Sequence, residues 1–179
     1  MTEKNHFVKL LAPIILSVFA IYLTIGMTLG VLPGFIKNDL HSGNLVVGVV
    51  IGLQPLATLL TRAYSGKITD TKGAKKSKHS GIWLVLISGI IYMAAAASSG
   101  QPSLALGLIL LARIVHGISE SMAVTGALTW GIGLAGTEKS GKVMTWNGIA
   151  MYAGIAVGAP VAIWVKSSLG SGYVFAGIM

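Results

Sequence analysis

Arg113, His116, Ser119, Glu120 and Ser121 stand inside a run, 103–135, that is otherwise almost wholly apolar. An ionised group in the middle of a bilayer-length helix costs about 2.5–3.5 kcal/mol on insertion scales, so such groups normally face a cavity or a partner. On a helix Arg113 and His116 are three apart and His116 and Glu120 four apart, which puts all three on one face. Arg113 and Glu120 are seven apart, two turns and about 10 Å along the axis. That separation suits a relay through His116 better than direct contact. Burial favours a neutral carboxyl and a nearby cation favours a carboxylate, so an acid held between the two can load and release a proton. Glu120 is the expected proton carrier, Arg113 its electrostatic partner and a substrate contact, and His116 the link between them. An ion-paired network that merely orients helices fits the same residues, and His116 alone could serve only to satisfy a carbonyl.

The elements that must hold these residues are membrane helices. Apolar residues make up 54% of the 179, charged residues 10%, and mean hydropathy is +0.79, against about 25% charged in a soluble domain. A hydrocarbon core needs roughly 20 residues of helix. Five runs qualify, near 10–36, 45–65, 80–99, 103–135 and 141–165, and a sixth starts near Ser171 and is cut at Met179. The first is too long for a removable signal peptide, lacks a small-residue cleavage pattern and is followed by further spans. The fold class expected is all-α integral membrane.

The net charge of +8 is distributed in a way that argues against nucleic acid. Lys4, Lys9, Arg62, Lys67, Lys72, Lys75, Lys76, Lys78, Lys139 and Lys142 fall at the N-terminus and in two alternate connections, with only Lys37 and Lys166 on the other side. Basic residues accumulate on the cytoplasmic side, so the N-terminus and the 66–79 connection are expected there. Anionic lipid headgroups would be attracted to the same residues. No cysteine is present, so thiolate metal sites and disulfides are out of reach. Neither a cofactor nor a metal is expected.

The short connections at 37–44 and 100–102 predict that sequential helices lie antiparallel and adjacent. Tyr64, Trp83, Trp130, Trp146 and Trp164 sit near span ends, as interfacial belts do, with gap-filling between helices an equal alternative for Trp130 and Trp146. Gly26 and Gly30, Gly48 and Gly52, and Gly154 and Gly158 have the small-xxx-small spacing that brings helix backbones together. Pro13, Pro33, Pro55 and Pro160 fall in or near spans, where a proline kinks the helix and frees a carbonyl.

Between the second and third spans lies Gly66-Lys67-Ile68-Thr69-Asp70-Thr71-Lys72-Gly73-Ala74-Lys75-Lys76, read as a tight turn. Gly66 and Gly73 would allow close approach and a sharp reversal, and Asp70 would bond backbone donors at a neighbouring helix N-terminus. With Gly66, Asp70 and Gly73 at these spacings before Lys75 and Lys76, the segment resembles the signature loop of the major facilitator superfamily. Arg113-Ile114-Val115-His116-Gly117 is similar to that family's Arg-x-x-x-Gly element. Gly154-Ile155-Ala156-Val157-Gly158-Ala159-Pro160 resembles its antiporter glycine–proline motif, with Ala159 standing between the glycine and Pro160. Tyr22-Leu23-Thr24-Ile25-Gly26, Trp130-Gly131-Ile132-Gly133 and Trp146-Asn147-Gly148-Ile149 look closest to a bacterial efflux branch of the family, the YhhS/YfcJ-type (arabinose-efflux-permease-like) branch.

The resemblance implies the N-terminal six-helix half of a twelve-helix transporter, residues 1–179, built as a 3+3 inverted repeat and truncated within the sixth helix, with the C-terminal half as its partner. It implies that the loop is a latch stabilising the outward-open state. Thr71 stands where the family has a basic residue and Ala74 where it has a second glycine, which moves part of the latch to Arg62 and Lys72. The first and fourth helices would line the central cavity. Tyr22, Thr24, Thr28, Asn147 and Tyr152 are the candidate solute contacts, although their hydroxyl and amide groups could equally bond neighbouring helices.

The expected function is proton-coupled efflux of a small solute by alternating access, in the bacterial cytoplasmic membrane. An importer of a sugar or metabolite is the alternative within transport. An intramembrane hydrolase built on His116 and Glu120 is the alternative of another class. Against it, the chain has no His-Glu-x-x-His element and no clustered third ligand, and the expectation is that it is not an enzyme.

Overall fold

Long apolar runs leave every backbone polar group to be satisfied within the segment, and in lipid the helix does this residue by residue. The computed structural model describes residues 2–169 with Val174, Phe175 and Gly177, and side chains from Lys9. Among them the regular structure is helical: α1 (Thr2–Gly34), α2 (Asn44–Lys72), α3 (Ala74–Ala97), α4 (Pro102–Ala135) and α5 (Ser140–Leu169). A π-helical turn, Phe35–Asp39, extends α1, and a short 3₁₀ turn, Thr137–Lys139, precedes α5. Five helices are long and apolar enough to cross a membrane. The expected start of a sixth span at Ser171 lies outside the described residues, but Phe175 stacks on Tyr92 at 5.7 Å and meets Phe35 edge-on at 5.5 Å.

Two glycines make the turns at the lysine-rich end. Gly73 has φ 92° and ψ 143°, and Gly136 has φ 88° and ψ 150°, backbone that a side chain rarely tolerates. The turn expected over 66–79 is therefore a single residue. Gly66 to Lys72 continue α2, and Ala74 already belongs to α3. Glycine and lysine density reads as a turn, yet one helical glycine costs only about 1 kcal/mol. Thr69 and Thr71 also keep the helical pattern by donating their hydroxyls to the Ser65 and Lys67 carbonyls at 2.8 and 2.7 Å.

The short 100–102 connection does leave α3 and α4 packed together, whereas the one at 37–44 does not do so for α1 and α2. α1 packs chiefly on α5, while α2 and α3 both pack on α4, and α1 barely meets α2. The α1–α5 and α2–α4 pairs are equivalent when helices one to three are exchanged for four to six, the relation an inverted repeat has. Close approach on α1–α5 depends on Gly26, Gly30, Gly154 and Gly158. A methyl at Gly154 would lie 2.7 Å from the Phe19 carbonyl oxygen, and one at Gly158 would collide with the Leu23 carbonyl. Gly48 and Gly52, expected to form a similar seam, meet nothing within 4 Å among the described residues. They lie on the α2 face that also exposes Leu45, Val49, Leu56 and Leu60.

Candidate functional site

α4 is joined to three neighbours by polar side chains. Toward α3, the Ser119 hydroxyl donates to the Gly81 carbonyl at 2.9 Å and the Ser77 hydroxyl to the Met122 carbonyl at 3.1 Å. Toward α2, the Ser65 and Ser121 hydroxyls meet at 2.9 Å. Ser119 and Ser121 thus point to different helices instead of sharing the face of Glu120. Gly117 lets α2 come close, since a methyl there would lie 2.5 Å from the Gln54 carbonyl oxygen.

Toward α1 there are three rungs. Thr24 and Thr28 donate their hydroxyl hydrogens back to the Ile21 and Ile25 carbonyls at 2.6 and 2.8 Å. Each therefore offers only a lone pair to α4. Thr28 accepts from Arg113 Nη1 at 3.3 Å, and Thr24 meets His116 Nε2 at 3.2 Å. With the Thr24 hydrogen on the Ile21 carbonyl, His116 Nε2 is the donor in that contact, and the buried Nδ1 has no partner among the described residues. In the third rung the Tyr22 hydroxyl donates to Glu120 Oε1 at 2.8 Å.

Arg113, 1% exposed, faces no carboxylate. Its Nε donates to the Val50 carbonyl at 3.0 Å and its Nη2 to the Ile51 carbonyl at 2.8 Å. Ile51 lies four residues before Pro55, so its carbonyl is the one that proline leaves without a helical donor. The guanidinium fills that vacancy.

Glu120, half-buried, receives Tyr22 from α1, Gln54 Nε2 at 3.2 Å and Thr58 Oγ1 at 2.9 Å from α2. No hydrogen bond or ion pair among the described residues joins Arg113, His116 and Glu120 to one another. The expected relay is therefore absent, and the pairing of Arg113 with Glu120 is replaced by separate partners on α1 and α2. Gln54 and Thr58, the two α2 donors, were not singled out in the sequence. A neutral polar residue on a helix normally reads as back-bonded, and Thr58 does also bond the Gln54 carbonyl.

Glu120 is thus ringed by three neutral donors and joined to no cation among the described residues. No group of three His, Cys, Asp or Glu side chains able to hold a metal is found among the described residues. Residues 14–179 match the family described as the Major Facilitator Superfamily. The chain belongs to that superfamily. It is 41% identical over 151 residues to an MFS-type transporter of Burkholderia mallei (strain SAVP1), covering 84% of this chain and 37% of the relative. A second MFS-type transporter, from Salmonella typhimurium (strain LT2), is 37% identical over 154 residues, 86% of this chain and 40% of the relative. The chain thus spans about two fifths of the length of the curated relatives it matches.

The other expected site residues of this chain are scattered. Of the solute contacts, Tyr22, Thr24 and Thr28 meet the α4 face. Asn147 bonds only Met151 Sδ of its own helix, at 3.2 Å, and Tyr152 is 76% exposed. A cavity of about 320 Å³ opens between α1 and α3, lined by Ser17, Ala20, Leu23, Thr24, Ile82 and Val85 among others. It touches the expected set only at Thr24.

In the segment expected to form the latch, a methyl at Gly66 would meet nothing within 4 Å among the described residues. Asp70, Arg62 and Lys76 are exposed, and Asp70 bonds no helix N-terminus among the described residues. Lys75 and the buried Lys78 instead place their ammonium groups 5.6 and 5.1 Å from the Trp130 ring. Trp130 is thereby a cation–π partner of α3, while Trp146 stays exposed. Gly154, Gly158 and Pro160 lie on α5, the two glycines in the seam with α1.

Proposed function

We propose that this chain is the N-terminal part of a secondary transporter that exports a small solute in exchange for protons by alternating access. It would sit in the bacterial cytoplasmic membrane with its lysine-rich end and N-terminus inside, and would act with a C-terminal half. Membership of the superfamily and relatives named as MFS-type transporters support the transport class. One observation carries the proton coupling: Glu120 is held between α1 and α2 by Tyr22, Gln54 and Thr58 and neutralised by no cation. Protonating such an acid breaks no ion pair among the described residues. Arg113, strapped to α2 backbone oxygens, keeps the α2 kink in place beside it and is no longer assigned to the solute.

The test is pH change in proteoliposomes of the full-length transporter on addition of candidate solutes, wild type beside Glu120→Gln. The expected outcome is a solute-evoked proton flux in wild type that disappears in the variant. Gradient-dependent efflux that survives in Glu120→Gln would sink the assignment.

A further inference from the structure

Thr58 Oγ1 lies 2.9 Å from Glu120 Oε2, 3.0 Å from the Gln54 carbonyl oxygen and 3.1 Å from the Gly117 carbonyl oxygen. All three neighbours accept when Glu120 is ionised, but a hydroxyl has one hydrogen to give and two lone pairs to offer. Only one of the three contacts is then a hydrogen bond. Protonation of Glu120 on Oε2 changes the count. The acid O–H donates to the Thr58 lone pair, and the Thr58 hydrogen turns to a backbone carbonyl. Both carbonyls belong to helix interiors, where the residue four positions on already supplies a donor, so neither depends on Thr58.

We propose that Thr58 is the positioning residue that holds Glu120 in both protonation states, donating to the carboxylate and accepting from the acid. This rests on the reading of Glu120 as proton carrier. The proton arrives from water at the half-exposed carboxyl, forms the Oε2–H bond and leaves to water when that bond breaks. Thr58 itself neither gains nor loses one. Tyr22 keeps donating to Oε1 and Gln54 Nε2 to Oε2 throughout, so the two states differ by one rotated hydrogen and no displaced heavy atom. In the acid state the freed hydrogen can bridge α2 to the Gly117 carbonyl of α4, which ties proton loading to the contact between those helices.

The charged and titratable groups around Glu120 come from every packed helix. α4 itself carries His116 and Arg113, α1 gives Tyr22, and α2 gives Arg62 one turn beyond Thr58. Arg62 and Tyr152 of α5 act electrostatically on Tyr22, and α3 turns Tyr92 toward His116 with ring centroids 6.3 Å apart. Of these, Tyr22 could accept an acid proton, but at Oε1 and not at Oε2, where Thr58 sits.

The test is infrared difference spectroscopy on the full-length transporter in liposomes across a pH series. A carboxylic-acid C=O band present in wild type and missing in Glu120→Gln belongs to Glu120. In Thr58→Ser this band should keep its frequency. In Thr58→Val it should move to higher frequency, because the acid O–H has lost its acceptor. Valine places a methyl against the two carbonyls, so Thr58→Ala supplies a hydroxyl-free variant without that crowding and should show the same shift. A Glu120 band unmoved in Thr58→Ala overturns the role of Thr58 and leaves the carrier standing. Absence of any Glu120 band in wild type at every pH overturns both.

Discussion

A guanidinium buried at mid-membrane without a counter-ion must satisfy its donors some other way, and Arg113 does so on the Val50 and Ile51 carbonyls. A buried polar group left unpaired costs about 1–3 kcal/mol. Arg113→Leu, which strands the Ile51 carbonyl that Pro55 cannot serve, should therefore destabilise the bundle by roughly 1–3 kcal/mol, read as a lower unfolding midpoint in detergent. Pro55→Ala restores a backbone N–H to the Ile51 carbonyl, so adding it to Arg113→Leu should recover about 1 kcal/mol. Strictly additive effects of the two substitutions would refute the strap between Arg113 and the Pro55 kink. The presence of a buried arginine, a histidine and an acid on α4 was legible in the sequence because charge inside an apolar run is expensive. Their partners were not. Whether Arg113 reaches Glu120 or a carbonyl depends on which helix lies opposite, and nothing local in residues 113–120 encodes that.

α1 and α5 meet along glycines, whereas Gly48 and Gly52 of α2 face open space, although both sets share one spacing. Spacing reports that a close approach is possible and not whether a neighbour uses it. Gly158→Leu drives a side chain into the Leu23 backbone and should cost about 1–3 kcal/mol or more. Gly48→Leu has room and replaces a poor helix former, so it should be neutral or stabilising by up to about 1 kcal/mol. Thermal unfolding of the two variants side by side checks the contrast, and equal losses would mean that the α1–α5 seam is not glycine-limited. Existence and order of the five helices were readable from apolar run length, since a bilayer leaves few other forms. The end of α2 was misplaced because Gly66, Lys67 and Asp70 look like turn residues. They are the last turns of a helix that projects past the apolar region and reverses only where Gly73 takes a positive φ.

The proposed orientation rests on the asymmetry of lysines, with Lys76 at one end of the bundle and Ser168 at the other. The chain has no cysteine, so single replacements report without background. Ser168→Cys should react with a membrane-impermeant maleimide added to intact cells, and Lys76→Cys only after the membrane is opened. The reverse pattern would put the N-terminus outside. Packing pairs were only partly legible at this scale: α3 packs on α4 as the short 100–102 connection suggested, while α1 found α5 and α2 found α4. The strap on Arg113 has an electrical consequence. Moving one elementary charge through a membrane potential is worth about 2.3 kcal/mol per 100 mV. A guanidinium bonded to two successive α2 carbonyls and to Thr28 of α1 has no path of its own along that field. In the proposed cycle the charge free to shift relative to the helices is the proton on Glu120, and a current recorded under voltage would count protons without a gating contribution from the arginine.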